Sequence, residues 1–366
     1  MISADFVIVG SGLTGSTIAR TLADAGREVL VLERRDHLGG NVHDHVHEPS
    51  GIRIHTYGPH FFRTSSERIW DFACRFGEFH PYMHRILSAI DGELVPWPPQ
   101  RAWIERLCGK DWHPGFFGQP RNFEEACLSM MPPIVYSKMV EPYNVKQWGK
   151  PCVELSASLC KRFDLRDGDD RLTPHAKYQG IPKDGYAAWM ANMLKGIDVR
   201  TGFDYLQRRE EVQARRHLVF TGPIDEFFGF KLGKLEYRAQ QRQHVNMPNE
   251  EFGLAAAQVN IPFCKDCPHI RTIEWKRFMP NAPKMGTVLT RETPYSPENP
   301  DRYEYPFPDD RNARLYAEYR AWARAWPNVT FAGRLGRNVY LDMDGAIGAA
   351  LRLADELLSR SWNRAT

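Results

Sequence analysis

The chain has 366 residues, 42% hydrophobic and 25% charged, which excludes disordered and fibrous classes and leaves room for one large or two to three small domains. Lys and Arg (48) nearly balance Asp and Glu (45), so a net charge of +3 argues against a nucleic-acid binder while leaving a few arginines for one anionic ligand. No apolar run is long enough to span a membrane, no signal peptide opens the chain, and seven scattered cysteines fit a reducing cytoplasm.

Asp5 to Val9 predicts a short buried strand. Gly10-Ser11-Gly12-Leu13-Thr14-Gly15 follows. A helix comes next, with Ile18, Ala19, Leu22 and Ala23 at helical spacing and Gly26 as its stop. Glu28 to Leu32 predicts a second strand, ending at Glu33, 18 residues after Gly15. In such a unit Gly10 permits the tight turn, Gly12 lets a pyrophosphate approach the backbone, and Gly15 lets the helix pack on the strand. The helix N-terminus offers free N–H groups to the phosphates, and Glu33 can accept hydrogen bonds from a ribose. Together these elements point to a dinucleotide site; the bland alternative is a glycine-rich turn in an unrelated α/β protein. Glu33 is followed by Gly39-Gly40-Asn41 in an E-x(5)-G-G pattern. That resembles the FAD-binding extension of glutathione-reductase-like and amine-oxidase-like flavoproteins, and favours FAD over NAD.

Residues 94–133, rich in Pro and aromatics, break the α/β rhythm as an inserted domain would. Arg208 to Arg216 reads as a solvated connection. Residues 218–228 resume a buried strand and turn. Residues 328–358 predict a strand, a Gly-Arg loop and a last helix with Ile347, Leu351, Ala354 and Leu358 on one face. Cys264 and Cys267 lack a second ligand pair for zinc, and His43, His45 and His47 read as the polar face of an exposed strand, so no metal site is expected.

Further motifs run from end to end. They are Tyr57-Gly58-Pro59-His60, Tyr143 with Lys146-Gln147-Trp148-Gly149, Lys161-Arg162 and Tyr178-Gln179-Gly180-Ile181-Pro182. Then come Phe220-Thr221-Gly222-Pro223-Ile224-Asp225, Leu235-Glu236-Tyr237-Arg238, Gly333-Arg334-Leu335 and Tyr340-Leu341-Asp342-Met343-Asp344. In order and spacing they resemble the bacterial UDP-galactopyranose mutases. The resemblance implies an α/β fold: a discontinuous Rossmann-like FAD-binding domain (1–92, 183–229, 310–366) with an inserted small helical domain (93–160). A mobile substrate loop (161–182) and a twisted antiparallel β-sheet domain (230–309) complete it.

The resemblance also implies roles. Arg162 and Arg271 would hold the diphosphate, with His60 and Arg63 beside the flavin. Tyr143 would stack on the base and Trp148 lie at the ribose. Asn260, Tyr305, Tyr340 and Asp342 would complete the substrate site. Gly10, Gly12, Gly15, Glu33, Gly39, Gly40, Asn41, Thr221, Gly222, Arg334 and Met343 would hold FAD, with the last helix's N-terminus against the isoalloxazine. In the family, N5 of reduced FAD attacks the anomeric carbon, so no side-chain nucleophile is expected and an external reductant such as NADPH is implied. The implied partners are a nucleotide sugar and a second copy of the chain. Two rivals stay open: a true flavin oxidoreductase, and a flavin- or sugar-nucleotide-binding protein without catalysis.

Departures from the family pattern matter. Arg63 stands where bacterial mutases usually carry His, and Thr173 where a tyrosine usually reaches the diphosphate. One extra residue lies between Asn260 and Arg271, and Met139 and Val140 replace common aromatics of the base pocket. These positions leave the sugar and the base open rather than the reaction type.

Overall fold

A computed structural model describes residues 1–162, 165–264 and 266–361, with the backbone only of Lys161 and Arg162. At its centre lies a five-stranded parallel sheet in the order Asp198–Arg200, Val29–Leu32, Ile2–Val9, Val212–Phe220, Val329–Phe331. Alternation along its strands sorts side chains to two covered faces. Phe6, Ile8, Val29 and Val31 pack against Ile18 and Leu22 of the first helix (Leu13–Asp24) and Ala350, Ala354 and Leu357 of the last (Met343–Ser359). Ala4, Val7, Leu30 and Leu32 face Phe203 and Phe227 on the other side. Leu357, not Leu358, is the fully buried residue at the end of the last helix.

A seven-stranded sheet lies beside it, in the order Tyr305–Pro306, Tyr237–Met247, Thr287–Tyr295, Arg271–Glu274, Gln258–Asn260, Ile86–Ile90, Glu93–Trp97. Its pairings are antiparallel except that of Gln258–Asn260 with Ile86–Ile90. Helices Arg101–Cys108, Phe123–Leu128 and Glu141–Trp148 build a separate apolar core with Phe123, Met131 and Tyr136. Among the described residues no helix is long and apolar enough to cross a membrane.

Two expectations change. The arginine run is half strand: Val212–Phe220 pairs with Ile2–Val9 from its first residue. Its exposed end is held by Arg215 and Arg216, which pair with Asp5 at 2.9 and 3.1 Å. Charge at a solvent-facing strand end hid the strand signal. Ile86–Ile90 and Glu93–Trp97, placed at the border of the FAD and helical segments, instead form a hairpin that extends the antiparallel sheet. Its Asp91-Gly92 turn has φ of 51° and 83°, the left-handed geometry that favours Asp-Gly in tight hairpins.

The glycine turn has no slack. A Cβ on Gly15 would lie 1.9 Å from the Gly10 carbonyl oxygen, and one on Gly10 would lie 2.1 Å from Thr221 Oγ1. Backbone cannot yield as a flexible side chain can. Gly15→Ala should therefore lower stability by about 1–3 kcal/mol and yield protein without bound flavin. Thermal unfolding and flavin absorbance check it; a flavin-loaded variant of unchanged melting temperature would refute it.

Candidate active site

The C-terminal ends of the parallel strands open on a cavity enclosing about 1150 Å³, its open mouth included. Gly10, Gly12, Gly15, Glu33, Gly39, Gly40, Asn41, Thr221, Gly222, Arg334 and Met343 all line it, together with His60 and Asp342. A Cβ on Gly40 would approach Gly12 Cα to 2.9 Å, so the two glycine segments touch through bare backbone. Glu33 is buried; its Oε2 accepts from Ser11 N at 2.8 Å and Ser11 Oγ at 2.7 Å, its Oε1 from Arg35 N at 3.0 Å. That bracing presets the carboxylate for a ribose. The first helix points its N-terminus into the same space, and so does the last, whose N-cap is Asp342. A bare-backbone cradle, a fixed acid and two helix N-termini fit a flavin dinucleotide.

Arg334 on the cavity wall donates to the Glu304 carbonyl and so ties the cavity to the seven-stranded sheet, whose own residues are not among those lining it. Strand register sets Arg242, Glu292, Arg271, Asn260 and Ser88 in one row across neighbouring strands. Glu292 is fully buried; its Oε2 accepts from Arg271 Nε and its Oε1 from Arg242 Nε at 2.8 Å. Arg242 continues to Glu304 through two bonds of 2.8 and 2.9 Å. Burial raises the Glu292 pKa, but the two arginines outweigh it and hold it below the usual range. Burial lowers that of Arg271, and Glu292 more than restores it, so the guanidinium stays charged. Gly58 packs its backbone against this row, a Cβ there lying 3.0 Å from Glu292 Oε1.

Arg334 is held otherwise. It donates to the Glu304 and Leu341 carbonyls at 3.1 and 2.7 Å and forms no ion pair among the described residues. Its guanidinium lies 4.6 Å from the Tyr340 ring centre, and Tyr340 is parallel to Tyr305 at 6.1 Å. His60 Nδ1 donates to the Gly58 carbonyl at 2.7 Å, leaving a lone pair on Nε2. Burial, then Arg334, push its pKa down to about 3, so the ring is neutral near pH 7. Arg63 pairs with Asp342 at 2.9 Å, and Tyr143 lies within electrostatic reach of Arg271.

Other expected residues stand apart. Arg63, Tyr143, Asn260, Arg271, Tyr305 and Tyr340 are not among the residues lining the cavity, nor is Trp148, which is buried in the helical core, edge-on to Phe307. Met139 and Val140 are buried in the same core, because a π-helical turn (Tyr136–Val140) directs them inward rather than into an open pocket. Thr173 is engaged with Gln179, accepting at its carbonyl and donating from its hydroxyl. The Arg162 side chain lies outside the described residues. The sequence reading missed Arg242, Glu292 and Glu304, and the wall formed by Phe203, Tyr205 and Glu226.

Fold and cavity define a Rossmann-type flavoprotein with a polar, arginine-bearing substrate face. The family profile described as UDP-galactopyranose mutase matches residues 138–340, and that of the NAD(P)-binding Rossmann-like domain matches residues 8–76. The chain belongs to the UDP-galactopyranose mutase family; it is an isomerase of the flavin-dependent pyranose–furanose type. It is 32% identical to a probable UDP-galactopyranose mutase of Klebsiella pneumoniae, over 100% of this chain and 97% of that one. It is 31% identical to a dTDP-fucopyranose mutase of Escherichia coli, over 95% and 97%. A crystal structure of reduced UDP-galactopyranose mutase superposes with a TM-score of 0.75, covering 97% and 95% of the chains at 15% identity.

Glu292 is the sole carboxylate paired with Arg271 among the described residues. Glu292→Gln leaves Arg271 buried without a counter-charge, and should cost about 3 kcal/mol in chemical denaturation. A variant as stable as the parent would refute the network.

Proposed function

We propose that this chain interconverts the pyranose and furanose forms of UDP-galactopyranose or a close relative. One observation carries the reading: Arg271, braced by Glu292 and next to Asn260, belongs to a charged row tied to the flavin-type cavity through Glu304 and Arg334. A diphosphate leaving group needs such fixed cations, and arginine's planar fork suits its oxygens. Arg271 would bind the diphosphate through its Nη groups, with Arg162 as the second arginine. The Tyr305 and Tyr340 hydroxyls would donate to phosphate oxygens. Tyr143 would meet the base and Trp148 the ribose. Glu33, Asn41 and the glycine turns would hold the dinucleotide, while neutral His60 would act as an acceptor, not an acid. When bound and reduced, FAD would supply the nucleophile that displaces the diphosphate. Reduced flavin carries negative charge, which Arg334 and the last helix's N-terminus would stabilise.

The relatives named for UDP-galactopyranose and dTDP-fucopyranose are almost equally similar, at 32% and 31%. The Arg63–Asp342 pair puts a permanent cation at the flavin end of the cavity, where a histidine is usual. Sugar and base are therefore the open variables. We place the enzyme in the cytoplasm as a homodimer, kept reduced by a donor such as NADPH.

Dithionite-reduced enzyme, incubated with UDP- and dTDP-hexoses, should give furanose products by NMR only while the flavin is reduced. Net oxidation of the sugar, or no product from any donor, would overturn the reading. UDP-galactopyranose turned over as well by the parent as by Arg63→His would remove Arg63 as a reason to expect another sugar. Arg334→Ala should make the flavin harder to reduce, by on the order of 30 mV, equivalent to ~1.4 kcal/mol for two electrons. An unchanged potential would remove Arg334 from the flavin's environment.

A further inference from the structure

A line of side chains connects Asn260 to Tyr82. The Tyr82 hydroxyl lies 2.9 Å from His84 Nδ1, His84 Nε2 lies 3.3 Å from Gln258 Oε1, and Gln258 Nε2 lies 2.8 Å from Asn260 Oδ1. His84, Gln258 and Asn260 are buried, at 1%, 3% and 6% exposure. Such a line can run in two directions, and the ends decide which. The Tyr82 phenol has no other hydrogen-bond partner among the described residues, and burial raises its pKa, so it keeps its proton. Its one acceptor among the described residues is His84 Nδ1. His84 must then carry its hydrogen on Nε2 and donate to Gln258 Oε1. Gln258 Nε2 in turn donates to Asn260 Oδ1. The reverse direction would set an unprotonated His84 Nε2 against Gln258 Oε1, two acceptors facing each other at 3.3 Å.

Packing locks the line. Phe61 stacks on the His84 ring at 4.5 Å, and the Arg63 guanidinium lies 5.5 Å from the Phe61 ring centre. Burial first, then Arg271 and Arg63, push the His84 pKa down to about 3 against the bond to Gln258, so the ring is neutral. Asn260 Nδ2 makes no hydrogen bond among the described residues, and Ser88 Oγ, opposite it in register, has no partner either. The Asn260 carbonyl is thus consumed and its N–H groups are left over, on the strand position beside Arg271.

We propose that Tyr82, His84 and Gln258 are positioning residues that fix Asn260 as a hydrogen-bond donor beside Arg271, so that this position selects a proton-free acceptor oxygen on the ligand. The choice of ligand rests on the nucleotide-sugar reading above; the direction of the line does not.

Two measurements test it. Nitrogen-15 NMR of labelled histidines in the flavin-loaded enzyme, near pH 7, should show His84 as the neutral Nε2–H tautomer, assigned by the signal missing in His84→Asn. An Nδ1–H tautomer or an imidazolium would overturn the direction. For the consequence, affinity for UDP-galactose and dTDP-hexoses is compared among Gln258→Leu, Asn260→Ala and the double variant, all with oxidised flavin. Gln258→Leu should weaken binding ~10-fold, and the double variant should bind like Asn260→Ala alone. Additive losses, or no loss in Gln258→Leu, would show that Gln258 does not act through Asn260. If the parent binds no nucleotide sugar, the functional reading fails, and the tautomer alone decides the direction.

Discussion

A buried, alternating line of charges holds the two halves of this site together. Arg271, Glu292 and Arg242 come from three neighbouring strands and Glu304 from the residue before the edge strand, and each carboxylate sits between or beside guanidinium groups. Burying one such charge alone would be prohibitive, so the line exists only as a set with the strand register that aligns it. Its outer end, Glu304, gives its backbone carbonyl to Arg334, which stands at the cofactor cavity. Its inner end is Arg271, whose Nε is engaged by Glu292. The sheet thus fixes where cations meet the cavity, and small shifts of one strand would move them all.

The cavity adds a second constraint, close backbone approach. Gly10, Gly15 and Gly40 pack so tightly that a single carbon on any of them would overlap a neighbour. Both helices that begin at the cavity pack together on one face of the parallel sheet, through Ile18, Leu22, Ala350 and Ala354. Their small residues bring the two N-termini together, so two helix dipoles act on one volume.

The histidines around the site point to hydrogen-bond polarity rather than proton transfer. His60 and His84 are both driven down to about 3, chiefly by burial and then by nearby arginines. Each is held in one tautomer by its Nδ1 partner, the Gly58 carbonyl for His60 and the Tyr82 phenol for His84. Neutral rings of fixed tautomer define which atoms donate and which accept. That suits a reaction in which the cofactor supplies the chemistry and the protein supplies orientation.

Local features were legible in the sequence. The glycine turn, its strands and helix, Glu33 and the Gly39-Gly40 pair each depend on residues near in the chain, and all the positions expected to hold the cofactor line one cavity. Arg271 and Asn260 could be singled out by motif, whereas the Asp91-Gly92 hairpin was cut by the border drawn after residue 92. The tertiary structure alone decided the rest. Trp148, Met139 and Val140 went to the helical core because neighbouring helices needed apolar volume there. Glu292 became the shared partner of Arg271 and Arg242 because strand register brought together side chains 21 and 50 residues apart in sequence. The line from Tyr82 to Asn260 crosses 174 residues between His84 and Gln258. Such contacts leave no periodicity in the chain, because nothing nearer than the folded sheet enforces them.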